Sequence, residues 1–250
     1  MRGSWLVALA LLVPAPALAG PVEDIIAGIR KECRGCDLTG ARFKKTDLSG
    51  VDFTGANLTD AVFHRAILKG AIFAGAEAEA ANFNLADLTG ADLSNAKLGG
   101  SLFFEANLSG ANLSGADLTG TKLQRARLTG AKLNGAVLDL AVARDVRLNN
   151  ADMSGTSLHA TNLNGASLGR TLFDGATLDN AGFVKVDAAR ASFKGALVKR
   201  TDFMQADMRG ADFDQAVIED SRFTSAKIEG NSFTGATMAR NFMQDGGYRP

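Results

Sequence analysis

Proline is scarce in this chain: four in 250 residues, at positions 14, 16, 21 and 250. The interior is thus free of the one residue without a backbone donor, which permits a fold that uses N–H groups in a repetitive stack. Cysteine is confined to Cys33 and Cys36, too few for a four-cysteine metal site. Histidine is confined to His64 and His159, far apart in sequence, so a shared metal or a single catalytic group is not expected. Serine and threonine abound, but with no histidine in matching register a hydrolytic triad lacks its base. No phosphate loop, dinucleotide fingerprint or EF-hand spacing occurs. The single Trp5 and single Tyr248 give no aromatic platform among basic residues for stacking bases. Lys and Arg number 27, as do Asp and Glu, so the body is not a polyanion or polycation. No enzyme activity, cofactor, metal, small-molecule substrate or nucleic-acid partner is expected.

What is present is one five-residue unit, clearest in Leu108–Gly120: Leu-Ser-Gly-Ala-Asn-Leu-Ser-Gly-Ala-Asp-Leu-Thr-Gly. Calling the central apolar residue i, 42 units follow without insertion, centred on every fifth residue from Leu38 to Met243. The centres are 19 Leu, 13 Phe, four Met, two Ile, one Val and three Ala, and 28 of the i−2 positions are Ala. Positions i−1, i+1 and i+2 are mostly Asp/Asn/Lys/Arg, Ser/Thr and Gly. A five-residue period suits neither a helix nor a continuous strand. Within a unit, i−2 and i are two apart and face the same way in an extended piece, and glycine then permits a turn. Repetition gives a winding chain with two inward columns, and stacked coils satisfy one another's backbone groups.

The A-D/N-L-x-x pattern resembles the pentapeptide-repeat family over about five-sixths of the chain. The resemblance implies an all-β solenoid, a right-handed quadrilateral parallel β-helix with four units per coil and about ten coils. Numbering the faces from centres 43, 48, 53 and 58, all 13 central Phe fall on faces 1 and 3. Such large/small alternation suits a narrow packed shaft. Gly at i+2 is frequent on faces 2 and 3 but on face 1 occurs only as Gly165, so positive φ is expected only at the corners after faces 2 and 3. Ala78 and Ala143 predict small voids or local distortion, and Val186 is expected to fill the space left by Ala188.

The expected organisation is a signal peptide over 1–19, a capping helix and linker over 20–35, repeats over 36–245 and a tail over 246–250. Arg2, the apolar run Trp5–Val13 and the Ala17-Leu18-Ala19 site form a secretory signal, too short for the roughly 20 residues of a membrane span. The destination expected is periplasmic or secreted. Pro21–Glu32 reads as a helix, with Pro21 in the first turn, Glu23 and Asp24 near its N-terminus and Val22, Ile25, Ile26 and Ile29 on one face. It would close the first coil. Cys33 and Cys36 both point inward by register, either as a redox pair or as a buried capping pair open to disulfide formation. Family members often begin with a similar C-x-x-C-D-L.

Candidate contacts lie outside the inward columns. Arg42, Lys44, Lys45 and Arg65 form the densest basic group, and Val62, Ile67 and Ile72 are apolar at outward i−1 positions. Faces 1 and 2 carry 16 Lys/Arg against 9 Asp/Glu outward, and faces 3 and 4 carry 6 against 15, which predicts a basic and an acidic edge. Outward residues such as Asp212 are expected to tolerate substitution within roughly 0.5 kcal/mol. The function expected is a non-catalytic exported scaffold for an unknown protein partner, with a homodimer through the C-terminal coil as a further expectation. The alternative implied by the family is DNA mimicry toward an enzyme such as DNA gyrase, which requires a cytosolic location and a strongly acidic rod.

Overall fold

The computed structural model describes residues 20–249, so the expected signal peptide lies outside the described residues. From Glu32 onward, each i−1 residue pairs in parallel with the residue 20 positions on: Glu32 with Asp52, Asp37 with Asn57, Arg42 with Val62, through to Arg222 with Phe242. Four units therefore make one coil. On face 4 of the later coils the extended piece lengthens into strands β1 (Thr177–Asp179), β2 (Leu197–Lys199), β3 (Val217–Glu219) and β4 (Thr237–Ala239), ordered β1-β2-β3-β4.

Each unit has five N–H groups, and their partners explain the motif. In the unit centred on Leu38, Leu38 N–H donates to Asn57 O at 2.8 Å and Gly40 N–H to Thr59 O at 2.8 Å. One coil on, Asn57 N–H donates to Cys36 O at 2.9 Å. The turn closes where Ala41 N–H donates to Leu38 O at 3.0 Å. The fifth group, at i+1, has no backbone partner. A carboxylate or amide at i−1 takes it: Asp37 Oδ1 accepts Thr39 N–H at 3.1 Å and Asp52 Oδ1 accepts Thr54 N–H at 2.9 Å. In some units where i−1 is not Asp or Asn, an Asx at i+1 one coil earlier substitutes, as Asn84 does for Phe104 and Asp139 for His159. The Asp/Asn preference is thus a hydrogen-bonding requirement.

Away from the two ends the inward columns are sealed. Phe43, Phe53, Phe63 and Phe213 are 0% exposed, as are Ala56 and Ala61. Face 1 rings stack along the axis, Phe63 on Phe83 at 4.8 Å and Phe83 on Phe103 at 4.9 Å. They meet the face 3 rings edge-on, as Phe63 meets Phe73 at 5.8 Å and 90°. Most serines and threonines at i−2 are buried, and several of their hydroxyls donate to central carbonyls, as Thr161 does to Leu138 O at 2.7 Å and Thr201 to Leu178 O at 2.9 Å.

Two expectations are corrected, and a third is narrowed. Every corner from Gly40 to Arg240 has positive φ, including Lys45 (61°) and Arg65 (59°) after face 1 and Asp60 (58°) after face 4. The winding needs the same turn four times per coil, and stacking bonds offset the strain in non-glycine residues. None of those residues is β-branched, the class for which this conformation is most strained. The helix is α1, Pro21–Ile26, half the expected length, since the chain leaves it through Gly28 at φ 71°. Ile25 is buried against the shaft and Val22 packs on it, but Ile29 is 78% exposed. Of the two outcomes expected at Ala78 and Ala143, a void or a distortion, the distortion is absent from the ladder: both N–H groups keep their bonds at 2.8 Å.

At the other end, strands β5 (Asn241–Phe242) and β6 (Tyr248–Arg249) form an antiparallel hairpin, and Phe242 packs on Tyr248 at 5.4 Å. Phe242 and Tyr248 stay about half exposed, and Ile228, Phe233 and Met238 are only partly buried. The last coil remains open.

Candidate interaction surface

Two of the columns on face 1 set Lys44 beside His64 and Lys45 beside Arg65, one coil apart. Arg42 pairs with Val62 in the third. The fold thus brings Arg42, Lys44, Lys45 and Arg65 together and adds His64, which the sequence singles out only by its distance from His159. Its signal was its register, 20 residues beyond Lys44. Partial burial, then the charges of Arg65, Lys44 and Lys45, hold the His64 imidazole below its ordinary value. Lys44 and His64 occupy i+1 positions, where Arg42 and Val62 at i−1 supply no acceptor, so their main-chain N–H groups find none among the described residues. Cationic side chains and open amide donors share one surface.

Val62, Ile67 and Ile72 do not form one patch. They occupy successive faces of a single coil, Val62 within the basic group, Ile67 (40% exposed) around the corner and Ile72 on the third face. Cys33 and Cys36 lie at the start of the winding, joined by a disulfide with Cα atoms 5.3 Å apart. Cys33 is buried and Cys36 partly so. Among the described residues no group of three or more His, Cys, Asp or Glu side chains is placed to hold a metal ion. Nor is any helix long and apolar enough to cross a membrane.

Ion pairing sharpens the charge division. On faces 3 and 4 the cations are used locally: Lys97 with Glu77 at 2.7 Å, Lys194 with Asp212 at 2.9 Å, Lys199 with Glu219 at 3.3 Å, Arg200 with Asp179, and Arg240 with Asp220 at 2.7 Å. Only Lys132 of that set is outside a pair among the described residues. On faces 1 and 2, five of the 16 are paired: Lys69, Arg125, Arg209, Arg222 and Lys227. The other eleven, Arg42, Lys44, Lys45 and Arg65 among them, face solvent without a carboxylate partner among the described residues. The basic edge is a feature of pairing as well as of composition.

Comparison with known proteins settles the family. The family model described as pentapeptide repeats (8 copies) matches residues 36–75, 46–84, 81–120, 121–159, 156–195, 189–225 and 201–238. The chain belongs to the pentapeptide-repeat family. Among solved structures of the family, it is similar to HetL of the cyanobacterium Nostoc sp. strain PCC 7120, described as involved in heterocyst differentiation regulation. The two are 24% identical over 92% of this chain and 99% of HetL, with TM-score 0.46. Rfr23 of the cyanobacterium Cyanothece 51142 is 30% identical over 44% of this chain and 90% of its own, with TM-score 0.44. QnrB1, a plasmid-mediated fluoroquinolone resistance protein, is 20% identical over 71% and 88%, with TM-score 0.36. No curated protein matches the sequence. Within a pentapeptide-repeat protein, the inward columns build the rod and only the outward columns are free to vary for recognition.

Proposed function

We propose that this pentapeptide-repeat protein is an exported, non-catalytic scaffold, a right-handed four-sided rod of about ten coils that docks an acidic protein partner along faces 1 and 2. The observation that carries this reading is the unpaired basic edge, densest at Arg42, Lys44, Lys45 and Arg65. Unpaired cations are not already committed to intramolecular carboxylates, and they steer and orient an anionic partner. Export rests on the Met1–Ala19 segment, and the disulfide suits an oxidising compartment. The open last coil supports association of two copies end to end, since an uncovered strand edge invites pairing.

The test is a pull-down from the exporting compartment with the wild-type chain and with K44E/K45E/R65E. A partner captured by the first and lost with the second supports the reading; equal capture by both removes the basic edge from it. NMR titration of His64 gives an independent readout, because an acidic partner on this surface raises the imidazole pKa. The acidic faces 3 and 4 favour the second reading, mimicry of DNA toward an enzyme such as DNA gyrase. Recovery of the protein from the cytosol with residues 1–19 intact would select it.

A further inference from the structure

The corner after face 2 is glycine in seven of its ten coils, but Asn150, Arg170 and Arg190 occupy it in three successive ones. All three hold positive φ (58°, 58° and 60°), a conformation glycine adopts with less strain. One position earlier the change runs the other way. The i+1 slot, Ser or Thr in most of the preceding coils of this face, becomes Gly169 and then Ala189. Side chains are thus shortened at i+1 and lengthened at i+2, and a groove of about 530 Å³ is lined by Gly169, Ala189, Arg170 and Arg190, with the Asn149 side-chain nitrogen 3.1 Å from where a Cβ on Gly169 would lie.

The chemistry around the groove is that of an anion site. Neither Arg170 nor Arg190 forms an ion pair among the described residues. Arg209, at the far end, is committed to Asp207 through two bonds of 2.8 and 2.7 Å. Asp187 also lines the groove, and its Oδ1 accepts Ala189 N–H at 3.3 Å. The N–H groups of Asn149 and Gly169 have no acceptor among the described residues, because Arg147 and Ser167 stand where the repeat usually places Asp or Asn. The Arg190 stem runs toward the next coil, its Cγ 3.6 Å from where a Cβ on Gly210 would lie.

We propose that this groove binds the phosphate group of a small phosphorylated molecule. The Cα atoms of Arg170 and Arg190, on adjacent coils, are about 4.8 Å apart, so two guanidiniums can grip the oxygens of one phosphate. The Gly169 N–H donates beside them, as open amides do in phosphate-binding concavities. Arginine is suited to this because its fork makes paired bonds to an oxyanion. The site is five coils from the Arg42–Arg65 group and independent of it.

Calorimetric titration of the mature chain with inorganic phosphate and with ribose 5-phosphate tests the assignment. Saturable binding of either is expected, weakened at least tenfold in R170A/R190A and at least fivefold in R170K/R190K, which keeps the charge but loses the fork. G169T/A189T restores the repeat's own residue type and lengthens both lining side chains, so it weakens binding while the thermal melt stays cooperative. Tighter binding of ribose 5-phosphate places the sugar in the groove; equal binding identifies bare phosphate as the ligand. No saturable binding of either probe overturns the proposal. So does unchanged affinity in R170A/R190A, or an equal loss in K44A/K45A, which would mark diffuse attraction to a basic rod.

Discussion

Phe193 and Phe213 lie parallel in successive coils, ring centroids 4.7 Å apart and planes 2° from coincident. Phe213 stacks in turn on Phe233 at 5.3 Å. Removing the middle ring opens a cavity in a shaft one side chain wide on each face. Phe213→Ala is expected to destabilise by about 3–5 kcal/mol, and Phe233→Ala, on the partly open last coil, by about half as much. Denaturant melts read both, and equal losses would show that the last coil is sealed by something beyond this chain.

Asp212 is outward, yet it is engaged. Its Oδ1 accepts Asp214 N–H at 3.0 Å and its Oδ2 pairs with Lys194 at 2.9 Å. Asp212→Ala is therefore expected to lower stability by about 1 kcal/mol, the net worth of one hydrogen bond left without an acceptor. That is a larger loss than the tolerance expected of an outward position from the sequence. Asp212→Asn keeps the acceptor and should stay within roughly 0.5 kcal/mol of wild type. Alanine and asparagine variants melting alike would deny the side chain its part in the turn.

Acid should loosen the rod. The hydrogen bond from Arg209, outweighing partial desolvation and aided by the Asp207–Arg209 turn and the nearby charges, holds Asp207 at about 2, below the ordinary 3.8. Thr39 and Ser49, through hydroxyl and backbone bonds, lower Asp37 and Asp47 likewise. A carboxylate depressed in the folded state contributes stability that is complete above its unfolded value and lost as pH falls through the folded one. For Asp207 that window runs from about 3.8 down to about 2. Thermal melts at pH 6, 3 and 2 should fall in that order, with a shallower fall in Asp207→Asn. A flat profile would contradict the assigned bonds.

The Cys33–Cys36 disulfide closes a very short loop at the first coil, where each coil touches only its neighbours. Reduction should raise amide exchange at Cys33, Gly35 and Leu38 while leaving exchange at Leu128 and the main melting transition unchanged. Loss of protection along the whole rod would show that the pair nucleates the stack.

The differences between expectation and structure have separate causes. Lys45 and Asp60 were not expected at positive φ because glycine is merely the easiest residue there, and the missing β-branched side chains were the subtler sign. Ile29 fits the apolar spacing of a longer helix, but Gly28 ends α1 before that spacing is used. His64 joins Lys44 and Arg65 only once the 20-residue stack is in view.

The linear pattern alone determined which residues point inward, where the Phe rows run and how many units there are, because period and side-chain size dictate what fits in a shaft. Tertiary structure decided which charges are neutralised and which amides stay open. Those depend on residues 20 apart meeting across coils, a distance no local pattern measures.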